Sequence, residues 1–522
     1  MEQFNQNHIM KWLTRTWDEK PLVLIMCIAV IFRLLAVIFA KGWGMLDDHF
    51  IVIESAQKWV DGILYDWLPG TPGTVGNSGP TGHNLFYPGF HFLLFSLFQY
   101  FGFTDPQWKM FVIRLIHGGF SLFTVCFGYR IAEVLDGKKS ARIAGLLLAI
   151  LWLMPWLSVR NLVEAVCLPF IILGYWMIVR EKSSVKVFLS YFLAGLFFGV
   201  AFNLRPQTIF FAIGIGLVLL FNLNFKRILA LTLGFLLCAF SVQGGIDTAI
   251  WGYPFAELMG YINVCFVSRN DYISLPWYNY FLTILGLLIP PMSVFLLWGF
   301  VWKWKKHLLF FIPTLLFFVF HSYFPNKQER FILPMIPVLI IIGVIGWNDF
   351  VNGSGFWQRR KNLLKYSLIF FWVVNTILLV VITFTYSKKA RVESMTYLSK
   401  YQNIRELLVL DADNSPEMLP LFYLKQWPRV LSEDAGDHSP DSLLYKFSLK
   451  PAMEQPRFIL FTGEKNINNV ILKARKQYPS LVYETTIEPG FIDKLVHWMN
   501  PVNKNRTMII YRNTSFYPSK VQ

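Results

Sequence analysis

The chain alternates between long apolar stretches and short polar ones, and the short ones are mostly basic. Apolar runs fall near 21–40, 85–103, 109–131, 141–158, 162–179, 187–204, 207–222, 228–245, 278–302, 307–324, 331–348 and 364–386. Many reach the roughly 17–25 residues that a helix needs to cross a bilayer. Between them lie GKKSAR (137–142), REKSSVK (180–186), NFKR (224–227), KWKK (303–306) and WQRRK (357–361), with Lys11, Arg15 and Lys20 before the first run. The positive-inside rule puts every one of these clusters on the cytoplasmic face. If all the runs crossed, GKKSAR and the clusters after it would land on the opposite face. If 85–103 (LFYPGFHFLLFSLFQYFGF) does not cross, all of them fall on one side. The pattern therefore predicts an α-helical polytopic membrane protein with about 11 transmembrane helices. The 85–103 run becomes an interfacial or re-entrant helix on the outer side, its irregular backbone tolerated because it lines a cavity.

This topology gathers loop 42–84, the corner 159–161, loop 246–277 and the stretch 325–330 on the outer face. It also puts the chain from about 390 onward there. In that part the patterning changes: ELLVLDA, RFILFTG, VYETTIEP and MIIYR read as strands and NNVILKARKQYP as a helix, so a small α/β domain is expected. The domain expectation is 1–388 for the membrane body and 389–522 for this extracytoplasmic domain.

Composition agrees. The 522 residues are 55% hydrophobic and only 15% charged, against about 25% charge in soluble domains, and mean hydropathy is +0.44. The formal charge of +16 reads as basic cytoplasmic loops rather than as a nucleic-acid surface. Four cysteines (Cys27, Cys126, Cys167, Cys238) lie in apolar runs and Cys265 alone in a loop; with no CxxC, neither a disulfide framework nor a zinc site is indicated. The start of the chain reads as an uncleaved first span.

Candidate chemistry collects in the outer segments. Asp47 and Asp48 follow the first run, with Glu54 one or two helical turns on. Asp47 suits either a helix N-cap or a general base beside a hydroxyl. In SVRNLVEAVCLP, Arg160 and Glu164 stand four residues apart, on one helix face; charges at the membrane edge are costly and tend to mark sites. Arg205, in FNLRPQT, offers a planar fork for phosphate oxygens or snorkels to the interface. Loop 246–277 is rich in Tyr and Trp around Asp247, Asn263 and Arg269, which fits a membrane belt or a sugar-binding surface. In HSYFPNKQERFILP, His321, Lys327 and Arg330 surround Glu329. Such a set reads as an ordinary loop or as a site for an anionic head group whose lipid tail stays in the bilayer.

In their order along the chain these elements resemble glycosyltransferase family 22, the GT-C-fold mannosyltransferases that use dolichyl-phosphate mannose in N-glycan and GPI-anchor assembly. The match runs over roughly residues 20–350. It is carried by Asp47-Asp48-His49-Phe50 with Glu54, by Arg160, Asn161 and Glu164, by Arg205-Pro206, by Asp247 with Trp251-Gly252, by Asn263-Val264, by Pro276-Trp277-Tyr278-Asn279-Tyr280, and by His321 with Lys327-Gln328-Glu329-Arg330-Phe331. The histidine stands apart from the KQER run, and GPTGHNLFYPG replaces the family's WEYSP-like stretch.

The resemblance implies a GT-C fold whose outer-face first loop carries interfacial helices. It implies an inverting transfer of mannose from a polyprenyl-phosphate donor to a glycan or glycolipid acceptor, with no metal or other cofactor. Asp47, with Asp48, is then catalytic. Arg205, His321, Lys327 and Arg330 bind the donor phosphate. Glu54, Arg160, Asn161, Glu164, Asp247, Trp251, Asn263, Trp277, Tyr278 and Glu329 position substrate. The expected partners are the lipid-linked donor, the acceptor and the bilayer, and not nucleic acid. The active site is expected on the extracytoplasmic or luminal side. Composition leans towards a bacterial inner membrane, with the endoplasmic reticulum as the eukaryotic equivalent. Two other classes stand beside this one: a GT-C transferase of another lipid-linked sugar, hexose or aminoarabinose, and a multipass lipid or sugar transporter. The acids cluster in loops on one face without an internal repeat, which counts against the transporter.

Overall fold

The computed structural model describes residues 14–63, 79–80, 82–180, 186–267, 274–413, 418–434, 443–451, 454–464 and 466–516. Lys11, residues 181–185 of the REKSSVK cluster, and Arg269 lie outside them. The chain divides into two compact units. The first comprises 1–38, 58–97 and 111–384; the second comprises 39–57, 98–110 and 385–522.

The first unit is helical. Its main helices are α1 (Pro21–Phe39), α2 (Phe86–Tyr100), α3 (Pro106–Asp136, which begins in the second unit), α4 (Lys138–Ile150), α5 (Leu168–Val179), α6 (Val187–Leu204), α7 (Ile209–Phe221), α8 (Phe225–Ala239), α9 (Gly245–Trp251), α10 (Ala256–Val267), α11 (Asn279–Leu287), α12 (Met292–Trp302), α13 (Leu308–Tyr323), α14 (Ile336–Gly353) and α15 (Lys361–Thr383). Whole faces of α1, α8 and α15 expose large apolar side chains, among them Ile31, Leu34, Leu229, Leu233, Phe370 and Ile377. Such stripes face lipid, where they need no cover, while each helix satisfies its backbone internally. α14 differs: every residue from Ile336 to Gly346 is buried, so it forms the middle of the bundle.

Among the described residues six helices are long and apolar enough to span a membrane: Pro21–Phe39, Pro106–Asp136, Val187–Leu204, Phe225–Trp251, Glu329–Gly353 and Lys361–Thr383. Three shorter apolar helices cover 163–179, 206–221 and 308–323. The protein is a multi-pass membrane protein. The run 278–302, expected as one span, is two helices, α11 and α12, bent by 117°. The bend falls at Pro290 and Pro291, which lack amide hydrogens and break the ladder there. The 85–103 run forms α2, whose 15 residues extend about 22 Å at the usual rise, less than the hydrocarbon core.

Glycines set the spacing of the helices that carry the site. A Cβ on Gly195 in α6 would lie 2.1 Å from Leu231 O, and one on Gly234 in α8 would lie 2.0 Å from Phe192 O. Backbone touches backbone there, the close approach that small residues permit between membrane helices.

The second unit contains α16 (Lys389–Leu398), a five-stranded sheet and α17 (Ile467–Gln477). Its strands are β1 (Glu406–Asp411), β2 (Arg429–Asp434), β3 (Phe458–Thr462), β4 (Leu481–Ile487) and β5 (Met508–Asn513), in the order β2-β1-β3-β5-β4. β1 pairs in parallel with β2 and β3, with Leu408 opposite Leu431 and Ile459, while β5 runs antiparallel to β3 and β4. Leu408, Leu410, Ile459 and Phe461 pack with Ile471 and Ala474 of α17. All four strands expected from the sequence are present. β2 was not foreseen, because RVLSED mixes polar and apolar residues without a clear period. Residues 39–57 are built into this same unit: Ser387 donates its amide to Lys41 O at 3.1 Å, and the His49 ring stacks between Trp43 and Tyr423 at centroid distances of 4.7 and 5.6 Å.

Candidate active site

In the first unit the sequence candidates converge where helices break. α4 stops at Ile150 and the chain resumes as short helices at Leu153–Leu157 and Val163–Val166. The last carbonyls of a helix lack intrahelical partners, and here side chains supply them. The Arg33 guanidinium, 4% exposed, donates to Ala149 O at 3.1 Å and Leu148 O at 3.4 Å, and Asn375 Nδ2 donates to Ile150 O at 2.9 Å. The broken segment so held carries Arg160, Asn161 and Glu164. Arg160 is buried with its guanidinium 4.5 Å from the Trp156 ring centre, and Asn161 is buried beside it.

Glu164 is wholly buried between two arginines. Its Oε1 lies 3.1 Å from Arg205 Nη1 and 3.7 Å from Arg330 Nε. α6 ends at Leu204, so Arg205 sits at a break before the turn Pro206–Thr208. Its guanidinium lies 4.4 Å from the Phe331 ring centre, and its Nε and Nη2 are buried without a hydrogen-bond partner. Arg330 Nε also donates to Gln328 Oε1 at 2.8 Å. Lys327 is buried close by in sequence and donates to Phe324 O at 2.6 Å; burial lowers its pKa. One carboxylate between two arginines leaves the group cationic. Buried donors of this kind bind a phosphate with more force than in water, because the surroundings are less polar.

The two sequence stretches around this cluster are joined. Ser274 bridges to Asn326, and Leu275 donates its amide to Pro325 O. Tyr280 fixes the same turn by donating to Gln328 O at 3.1 Å and accepting from Gln328 N at 3.2 Å. His321 donates from Nδ1 to Phe317 O at 2.8 Å. Its Nε2 is buried and without a hydrogen-bond partner.

The other candidates stand differently. Asp247 is buried, and its Oδ2 accepts from Glu257 N at 3.1 Å at the start of α10. Trp251 is half-buried, whereas Asn263, Trp277, Tyr278 and Glu329 are exposed. In the second unit, Asp48 is buried and both its oxygens accept backbone amides, from Met45 at 3.0 Å and Gly44 at 3.2 Å. Asp47 is exposed. Asp48 therefore holds the turn, and Asp47 stands exposed beside it. Glu54 is buried and accepts from Phe422 N at 3.2 Å, with His49 Nε2 at 3.6 Å.

Arg33, Tyr280 and Glu257 went unread as site residues. Arg33 and Glu257 carried a signal, a charge within an apolar or aromatic stretch, but their partners lie far away in sequence.

Residues 84–412 match the model of the Alg9-like mannosyltransferase family. Among curated proteins, the chain is 29% identical over 173 residues to a protein of Schizosaccharomyces pombe named probable Dol-P-Man:Man(7)GlcNAc(2)-PP-Dol alpha-1,6-mannosyltransferase, covering 32% of this chain and 31% of that one. It is 23% identical to GPI mannosyltransferase 3 of Yarrowia lipolytica over 60% of each chain, and 20% identical to mannosyltransferase APTG1 of Arabidopsis thaliana over 72% of this chain and 70% of that one. The chain thus spans about a third of the first relative and three fifths of the second. Among solved structures, ArnT from Cupriavidus metallidurans bound to undecaprenyl phosphate superposes with a TM-score of 0.59 at 13% identity, covering 95% of this chain and 99% of that one. That likeness shows the GT-C fold.

Proposed function

Since the chain belongs to the Alg9-like mannosyltransferase family, we propose that it is an inverting glycosyltransferase moving mannose from a polyprenyl-phosphate donor to a glycan or glycolipid acceptor. The observation that carries this reading is the buried Arg205–Glu164–Arg330 cluster, cationic and with unpartnered Arg205 nitrogens. A lipid-linked phosphate supplies the anion such a group lacks, and the relatives named above include one for a Dol-P-Man donor. The acceptor hydroxyl gives its proton to Asp47 as its oxygen attacks the anomeric carbon. The bond from that carbon to the phosphate oxygen breaks, and polyprenyl phosphate leaves. Arg205, Arg330 and Lys327 neutralise the charge that grows on the phosphate, the kind of stabilisation that often dominates a rate enhancement. A β-linked donor then gives an α-linked product. Arg160, Asn161 and Asp247 hold the walls, and Trp251, Asn263, Trp277 and Tyr278 meet the sugars. The reaction takes place on the extracytoplasmic or luminal face.

The test uses membranes carrying the protein, radiolabelled polyprenyl-phosphate mannose and a glycolipid extract of the host. Wild type transfers label to an extractable glycan. Asp47→Asn reduces transfer by at least about 100-fold, the usual range for removing a general base. Full transfer by Asp47→Asn would move the base elsewhere.

A further inference from the structure

Glu257 takes no part in the arginine cluster, yet its side chain is buried, 1% exposed, near the start of α10. Its Oε2 accepts two backbone amides, from Gly82 at 2.7 Å and His83 at 3.1 Å. Its own amide donates to Asp247 Oδ2 at 3.1 Å. The docking of Pro80 and Gly82 on α10 is backbone on backbone. Gly82 has φ +83°, and a Cβ there would lie 2.8 Å from both N and Cα of Tyr261. A Cβ on Gly260 would lie 2.9 Å from Gly82 N. Glycine at both positions is what lets two successive amides reach one carboxylate oxygen.

The docked segment continues to Asn84. Its Nδ2 donates to Asn203 O and to Gln243 Oε1, the latter at 2.9 Å, and its Oδ1 accepts from Phe86 N at 2.8 Å. Asn203 O is one of the carbonyls that α6 leaves open at its end, and Arg205 follows two residues later. On the other side of Arg205, Gln207 Nε2 donates to Tyr261 OH, and Tyr261 lies four residues from Glu257 on the same helix. Both flanks of Arg205 are thus tied to elements that Glu257 joins.

We infer that Glu257 is a positioning residue for donor binding: by clamping the Gly82–Asn84 backbone to α10, it fixes the turn that aims the free Nε and Nη2 of Arg205. This role rests on the reading of Arg205 as a phosphate-binding group.

The test compares wild type, Glu257→Gln and Glu257→Ala in lipid nanodiscs by two readouts. Hydrogen exchange of the peptide containing Gly82 and His83 reports the clamp without reference to activity, and transfer kinetics report its consequence. In Glu257→Ala, exchange of that peptide accelerates and the KM for polyprenyl-phosphate mannose rises about tenfold, the scale of one lost charged hydrogen bond. Its kcat and acceptor KM stay within about twofold, since positioning of the donor acts on binding. Glu257→Gln keeps an oxygen for the two amides and restores both readouts to within about threefold. Unchanged exchange in Glu257→Ala overturns the clamp. Faster exchange with an unchanged donor KM overturns the positioning role, as does an equal loss in the Gln variant. A wild-type protein that transfers no mannose, with exchange still accelerated in Glu257→Ala, overturns the reading of Arg205 and the role built on it, but not the clamp.

Discussion

At the scale of single residues, the buried carboxylate of Glu164 decides how the arginine cluster is held. It pairs with both Arg205 and Arg330. Removing one partner from a buried ion pair leaves the others uncompensated and costs about 3–5 kcal/mol. Glu164→Gln is therefore expected to lower the thermal midpoint of the protein in detergent, and inorganic phosphate is expected to raise it again more than it does in wild type. A variant as stable as wild type, and indifferent to phosphate, would show that the arginines are satisfied without Glu164. These charges were legible in the sequence because each interrupts an apolar context. The division of labour between Asp47 and Asp48 was not, since it depends on the turn that brings the amides of Gly44 and Met45 onto one of them. The His321 tautomer was likewise hidden, being set by a carbonyl one turn back.

At the scale of elements, breaks and close approaches organise the first unit. Gly195→Val would force a side chain into Leu231 O, 2.1 Å from where its Cβ must stand. We expect the α6–α8 pair to separate and folded yield in membranes to collapse, as measured by size-exclusion of detergent extracts, while Gly216→Val, in α7 with open space around its Cβ position, leaves the yield unchanged. Helix α10 makes a pH prediction. Burial, with the adjacent carboxylate of Asp247 adding to it, pushes Glu257 up from 4.5 to about 7. Between those values the folded protein binds a proton that the unfolded chain releases, so this group's contribution falls as pH rises from about 4.5 to about 7. Thermal stability across that window should decline less steeply in Glu257→Gln than in wild type; identical slopes would contradict the shift. Sequence periodicity located most of these helices, because an apolar run of span length has few alternatives. It could not place the bend between α11 and α12, where hydropathy stays high through Pro290 and Pro291. Nor could it show the contact between Glu257 and Gly82, 175 residues apart.

At the scale of the whole molecule, two compact units have different internal logic. The first is held by apolar helix faces and a few buried charges. The second has a water-soluble type of core under a mixed sheet, and a buried arginine ties its strand ends: Arg506 donates to both oxygens of Asp411, at 2.9 and 2.8 Å, and to Asp413 at 2.8 Å. Arg506→Met should destabilise that unit by about 3–5 kcal/mol, read as proteolysis within 390–516 at temperatures where the helices of the first unit stay intact; equal resistance in the two proteins would contradict it. Short stretches rich in β-branched, aromatic and other apolar residues at four of the five strands made this unit visible in sequence. That residues 39–57, with Asp47 and Asp48, belong to it was not visible, because the contacts of His49 and Glu54 with Tyr423 and Phe422 span more than half the chain. The proposed function turns on which sugar is transferred. The most direct measurement offers the purified protein, in vesicles with a host glycolipid acceptor, a panel of labelled donors: polyprenyl-phosphate mannose, polyprenyl-phosphate glucose and polyprenyl-phosphate aminoarabinose. The account predicts label in the acceptor from the mannose donor, lost on Arg205→Ala. Transfer from the glucose or aminoarabinose donor alone, with none from mannose, would contradict it.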